Sequence, residues 1–209
     1  MTAAWFWTAL PTRADAETAR RWQAALPAYH QKNGYHGMAL VYALAGYAVR
    51  HVYGVALEPE DWQVGGQGKP YLPAWPGIEL NLSHSGQLAM CAVDTAPVGV
   101  DVQREIQQVS DALVRRVCTP PERQWLEDQR PRGPAFATLW ALKESFLKYR
   151  GDGLSGGLRT FTVYPENGTV QTDCAGVRFT ACTPCPGYQA ALCAQGPAGP
   201  PVFIDAGAL

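Results

Sequence analysis

Charge is scarce in this 209-residue chain: Asp, Glu, Lys and Arg make up 17% of it, against about 25% in ordinary globular proteins. Seventeen Lys and Arg against eighteen Asp and Glu leave a net charge of −1. No overall field exists to recruit duplex nucleic acid or anionic lipid, so neither is expected as a partner. Long apolar runs are missing too. The longest, residues 38–49, falls short of the roughly 20 residues of a bilayer span and is interrupted by Gly46, so it reads as a buried helix and no membrane association is expected. The N-terminal AAWFWTAL lacks a basic n-region and a clear small-residue cleavage site, which speaks against a secretory signal and for a cytoplasmic protein. Its six cysteines are then expected as reduced thiols. Cys174, Cys182, Cys185 and Cys193 contain a Cys-x-x-Cys pair of the kind that binds zinc, but Cys182 and Cys193 fall in runs that read as strands, where Cys acts as a small apolar residue.

What is present is core and turns. Apolar residues make up 47% of the chain, enough to bury a sizeable core, while 21 Gly and 17 Pro predict many short elements. Residues 3–10 read as a strand, 15–26 as a helix with Asp15 at its N-cap, and 35–53 as an apolar helix. Residues 65–73 read as a loop. Strands follow at 78–84, 88–94 and 98–103, the first two joined by the turn Ser85-Gly86-Gln87. Helices are predicted near 110–117, 120–129 and 133–150, then a Gly-rich bend at 151–157 and four or five strands. Helices followed by strands, twice over, predict an α+β protein of two similar halves, 1–103 and 104–209. Charge is uneven between them: from Arg104 to Arg150 nine Lys and Arg stand against six Asp and Glu. Such a stretch is either a solvated face or a docking surface for an acidic partner.

Three segments carry chemistry. In Val98-Gly99-Val100-Asp101-Val102-Gln103, burying the alternate valines turns Gly99, Asp101 and Gln103 to the opposite face, where two side-chain oxygens could meet one hard cation. In the helix near 133–150, Leu139, Leu142, Phe146 and Tyr149 form a core stripe, and Glu144 and Lys148 lie one turn apart on another face. These two are either an exposed ion pair or the completion of a metal site begun by Asp101. Gly68-Lys69-Pro70 holds a lone lysine in a rigid turn suited to a phosphate, and Ser83-His84-Ser85 ends a strand with His84 placed as an anion donor or as a structural histidine.

Taken in order, Gly68-Lys69-Pro70, Asn81-Leu82-Ser83-His84-Ser85, Gly99-Val100-Asp101-Val102, and Trp140-Ala141-Leu142-Lys143-Glu144-Ser145 with Lys148 and Gly151 resemble the signature blocks of the Sfp-type 4′-phosphopantetheinyl transferases. The resemblance implies a monomer of two pseudo-symmetric α+β halves with the active site in the cleft between them. It implies coenzyme A as substrate, Mg²⁺ on its pyrophosphate, and an apo acyl or peptidyl carrier protein domain as partner. It assigns the metal to Asp101, Gln103 and Glu144, and coenzyme A to Lys69, Pro70, Ser83 and His84, with Lys143 and Lys148 near the phosphates. A further acid of the family falls at or near Glu122. Glu144 or Glu122 would take the serine proton, and Lys148 would stabilise the leaving bisphosphate. The carrier-binding stretch follows at about 151–182. Two departures stand out: Gln103 replaces a frequent carboxylate, and the N-terminal basic residues for the 3′-phosphate are thinly matched, with His36, Lys32 and Arg21 as candidates. They motivate an alternative, a protein of this fold that binds coenzyme A or a carrier without turnover. A phosphate-binding hydrolase using Asp101 and Glu144 is a second rival.

Overall fold

The computed structural model describes residues 2–11, 16–27, 36–66, 68–153 and 157–209. Its first half places two helices against an antiparallel sheet. Strand β1 (Ala4–Ala9) is followed by α1 (Ala16–Ala24) and the apolar α2 (His36–Tyr53). The short β2 (Gln63–Val64) and β3 (Pro70–Tyr71) come next, then β4 (Glu79–Ser85) and β5 (Leu88–Asp94). The second half contains β6 (Val98–Arg104), α3 (Asp111–Val117), α4 (Pro120–Glu127) and α5 (Arg132–Arg150). It ends with β7 (Val163–Glu166), β8 (Thr169–Thr172), β9 (Arg178–Cys182), β10 (Tyr188–Ala194) and β11 (Val202–Phe203). The α+β class is as expected; the N-cap expected at Asp15 lies outside the described residues.

Two findings concern topology. β6 pairs antiparallel with β10 in a sheet ordered β6-β10-β9, and α5 packs on it, so the strand expected to close the first half is hydrogen-bonded to the C-terminal strands. The C-terminus then returns to the first half, where β11 runs parallel to β1 at one edge of the sheet β11-β1-β5-β4. The loop expected at 65–73 is a small hairpin in which β2 pairs with β3. The Gly65 N–H donates to Lys69 O at 2.9 Å, and Gly68 donates to Gly65 O from a left-handed φ of 80° that favours glycine.

The period-2 pattern decides how the layers stack. Val98, Val100 and Val102 bury one face of β6 against Trp5, Met90 and Ala92, forming a core between the two sheets. The opposite face carries Gly99, Asp101 and Gln103 and meets α5, as the alternation of the valines predicts. A Cβ on Gly99 would lie 2.0 Å from Ser145 O and 2.4 Å from Tyr149 N, so helix and strand touch backbone to backbone there. The expected stripe of α5 is present, with Leu139 and Leu142 fully buried. α5 is buried well beyond that stripe, however, because it is sandwiched between the second sheet and helices α3 and α4.

Candidate active site

The contact at Gly99 puts two turns of α5 over the next outward-facing residue of β6. Asp101 is 3% exposed. Its Oδ1 accepts from Lys148 Nζ at 2.7 Å and from Ser83 Oγ at 2.8 Å, and its Oδ2 accepts from Gln103 Nε2 at 2.7 Å. Lys148 also donates to Val100 O at 3.1 Å and Leu82 O at 3.4 Å, tying α5 to β6 and β4 together. The simple surface pair of Glu144 with Lys148 is therefore not what the helix makes: the lysine goes to Asp101. Gln103 shares the face of Asp101 as its spacing predicts, but presents its amide nitrogen to that carboxylate.

Glu144 faces the same cavity of about 350 Å³, which opens between the halves and is also lined by Gly68, Pro70, Ser83, His84 and Lys148. Burial, and then the charge of Asp101, push the Glu144 carboxyl up to about 7 against the opposing pull of Lys148. A second cavity of about 220 Å³ shares Gly68, Pro70, Glu144 and Lys148 with the first and adds Lys69 and Gly153. The β2–β3 hairpin thus delivers Lys69 and Pro70 to the cleft. Lys69 pairs with Glu79 at 3.2 Å and is a quarter exposed, so its ammonium remains open to a ligand. His84 stands at the cavity wall, where partial burial and then the Lys148 ammonium hold its pKa below the ordinary imidazole value. Met38, Val41 and Tyr42 of α2 complete the apolar side of the cavity, a contribution masked in the sequence by their place in an ordinary buried-helix run.

Three described candidates stand elsewhere. Lys143 and Glu122 are both 0% exposed and form their own ion pair; Lys143 donates also to Phe161 O at 2.9 Å. Glu122 accepts the N–H of Thr119 at 2.7 Å, closing the capping box of α4, and the N–H of Val163 at 2.8 Å. Neither lines the cleft, so a lysine near the phosphates and a proton-accepting Glu122 are not what the fold makes of these residues. The cause is helical phase: residue 143 lies about 100° around α5 from residue 144. Arg21 lies on α1 and donates to Gly207 O and Thr18 Oγ1, bracing the C-terminal segment. Lys32 and the side chain of His36 lie outside the described residues. Among the described residues no group of three or more His, Cys, Asp and Glu comes together to hold a metal, and the six cysteines are free thiols. Burial raises the Cys182 thiol to about 11.

The fold and cleft define a class first: an α+β protein in which Asp101 and Glu144, with Lys148 bonded to Asp101, face one cavity beside Ser83 and His84. Comparisons with known proteins narrow this. The profile of the 4′-phosphopantetheinyl transferase superfamily matches residues 97–193. The 4′-phosphopantetheinyl transferase psf-1 of Bacillus pumilus is 33% identical over 165 residues, 74% of this chain and 69% of that protein. A 4′-phosphopantetheinyl transferase of Bacillus subtilis is 37% identical over 65% of this chain and 60% of its own length, and the transferase Sfp of B. subtilis strain 168 is 33% identical over 62% and 61%. The matched part thus spans about three-fifths to two-thirds of these relatives. The chain belongs to the 4′-phosphopantetheinyl transferase superfamily.

Proposed function

We propose that this chain moves the 4′-phosphopantetheine of coenzyme A onto a serine of an apo carrier protein domain and releases adenosine 3′,5′-bisphosphate. The observation that carries the reading is the convergence of Asp101, Glu144 and Lys148 on one cavity with Pro70 and His84. In the reaction the serine oxygen forms a bond to the phosphorus of the coenzyme's pyrophosphate that bears the pantetheine, the bridging P–O bond breaks, and the serine proton passes to a base. Such a transfer needs alignment and charge neutralisation more than covalent chemistry. Asp101 and Glu144, with the Gln103 amide oxygen once turned from its present donor role, are the residues that would hold Mg²⁺. The fit is chemical: two carboxylates face one cavity, where burial first and their mutual repulsion second hold the Glu144 pKa up, and their oxygens suit a hard cation. When bound, that ion supplies Lewis-acid polarisation of the pyrophosphate and a template for it.

The chain's own residues do the rest. Lys148, already within reach of Asp101, neutralises phosphate oxygens as charge builds on the leaving bisphosphate. Lys69 and His84 bind anionic oxygens at the cavity wall. Glu144, with a pKa near neutrality when no cation is bound, is placed to accept the serine proton directly or through water. The carrier is proposed to arrive beside Gln103, at a groove that it lines together with Ile106, Leu113, Phe136 and Trp140, drawn by the exposed Arg115 and Arg116 of α3. The test is to incubate protein, coenzyme A, Mg²⁺ and an apo carrier domain and weigh the carrier. A gain of one phosphopantetheine supports the reading; coenzyme binding with no gain supports a non-catalytic binder.

A further inference from the structure

β4 and β6 are edge strands of different sheets, and no main-chain ladder joins them. An edge strand presents a row of N–H groups that need partners when buried. Here side chains provide them. Asn81, Ser83 and Ser85 occupy alternate positions on one face of β4, and each accepts from an alternate N–H of β6. Val100 donates to Asn81 Oδ1 at 2.9 Å, Val102 to Ser83 Oγ at 3.2 Å and Arg104 to Ser85 Oγ at 3.0 Å. The three rungs reproduce in side-chain atoms what a paired strand would supply in backbone carbonyls. The middle rung does more. With one lone pair engaged by Val102, the Ser83 hydroxyl directs its proton to Asp101 Oδ1 at 2.8 Å. The neighbouring rungs pin β6 on both sides of Asp101, while Lys148 takes the intervening Val100 carbonyl.

We infer that Asn81, Ser83 and Ser85 form a side-chain ladder that locks the two halves in register, and that Ser83 is a positioning residue which aims the Asp101 carboxylate rather than a direct coenzyme contact. The one proton of its hydroxyl is already given to Asp101, which leaves none to donate to a phosphate oxygen. Replacing Ser83 by Ala leaves the Val102 N–H without its acceptor and removes one of the three side-chain hydrogen bonds that aim Asp101. The outer rung, at Ser85, does not line the cleft and serves as the control.

The inference rests on the proposed function for its second readout alone. The first is amide hydrogen exchange followed by NMR on the intact chain. Ser83→Ala should speed exchange of the Val102 amide about tenfold, and Ser85→Ala that of Arg104. The second is calorimetric titration of coenzyme A at a series of Mg²⁺ concentrations. Ser83→Ala should raise the Mg²⁺ needed for half-maximal binding about tenfold, leave affinity at saturating Mg²⁺ within twofold of wild type, and be rescued by Ser83→Thr. Ser85→Ala should leave the Mg²⁺ midpoint in place. Unchanged Val102 exchange in Ser83→Ala overturns the ladder. Affinity lost equally at every Mg²⁺ level makes Ser83 a coenzyme contact and overturns the positioning role, as does an equal midpoint shift in Ser85→Ala. If Ser83→Ala does not fold, Ser83→Cys, which keeps the volume with a weak donor, is measured in the same way. A wild type that binds no coenzyme A sinks the functional reading of the cleft, while Val102 exchange still upholds or overturns the ladder by itself.

Discussion

Helix α5 carries two lysines five residues apart, and each meets a carboxylate. Lys143 and Glu122 lie in a dry interior with neither side chain exposed, and the backbone N–H groups of Thr119 and Val163 complete the carboxylate's bonding. Lys148 and Asp101 look into a cavity, with the lysine side chain 27% exposed and a second carboxylate, Glu144, close enough to feel the charge of Asp101. The first pair has no room for a ligand and holds α4, α5 and β7 together. The second has space, an excess of negative charge over its single ammonium, and polar neighbours from both halves. Ion pairing is common to both; the difference is an open face with unbalanced charge, and that is what separates a binding site from a structural tie.

The sharpest way to break this comparison is to neutralise the open site. Glu144→Gln should cut transfer about 10³-fold, roughly 4 kcal/mol of barrier, since it removes a charged oxygen from the place where cation and pyrophosphate would meet. Its melting temperature should not fall, because the change discards a half-buried carboxyl that burial already disfavours as an anion. Carrier mass against time, beside a thermal melt, checks both. Full transfer by folded Glu144→Gln would mean that the open pair is not the active centre.

The closed pair should respond the other way. Lys143→Met strands Glu122 as a buried charge, which costs about 3–5 kcal/mol of stability. In a chain of this size that is a drop of about 10 °C in melting temperature. Transfer per folded molecule, measured well below the transition, should stay within about twofold of wild type. Adding Glu122→Gln should recover part of the loss, since the amide can still accept one of the two backbone N–H bonds with no charge left unpaired. Denaturant midpoints of the single and double variants provide the check. A folded Lys143→Met that transfers nothing would return Lys143 to the phosphates.

The two pairs also explain what was legible in the sequence. The strand alternation around Asp101 and the helical spacing of Glu144 and Lys148 depend on local periodicity, so the faces were readable. Lys143 and Glu122 were not, because their burial depends on where α4 and β7 pack. Gly99 was visible on the Asp101 face, but its use as the point where α5 touches β6 needs the partner helix. The rungs at Asn81, Ser83 and Ser85 did leave a trace, three short polar side chains at period 2 on a strand, and their partners lie in a strand of the other sheet. The partner of β6 was out of reach for a similar reason: the strand follows β5 closely in sequence but pairs with the distant β10.

Gln103 offers a subtler change within the open site. Its amide now donates to Asp101 Oδ2, so in the metal-free protein it soothes that carboxylate, whereas Gln103→Glu sets a third negative charge there. The metal-free variant should melt a few degrees lower, and Mg²⁺ should restore more stability to it than to the wild type. Half-maximal transfer should need about three- to tenfold less Mg²⁺, with no gain in maximal rate, because the added charge blunts the ion's pull on the pyrophosphate. An unchanged Mg²⁺ titration, beside a crippled Asp101→Asn, would place residue 103 outside the coordination sphere and leave two protein carboxylates sufficient.

The smallest effect lies outside both pairs. Arg115 and Arg116 are exposed on α3, near the groove that adjoins Gln103. Part of the local positive excess is cancelled within the fold: Lys143 by Glu122, Arg132 by Asp111 at 3.0 Å, and Arg150 by Asp152 at 2.5 Å. These two arginines are left facing solvent, where charge acts through association rate rather than through chemistry. Arg115→Glu/Arg116→Glu should slow capture of an acidic carrier domain about fivefold at low salt, and the deficit should fade toward 1 M salt, where the screening length falls to about 3 Å. Affinity for coenzyme A and the rate at saturating carrier should stay unchanged, because neither arginine lines the cleft. Stopped-flow association at two salt concentrations, with coenzyme A calorimetry alongside, separates the outcomes. A salt-independent loss, or an equal loss for coenzyme A, would assign these arginines to the fold or to the coenzyme instead of the carrier.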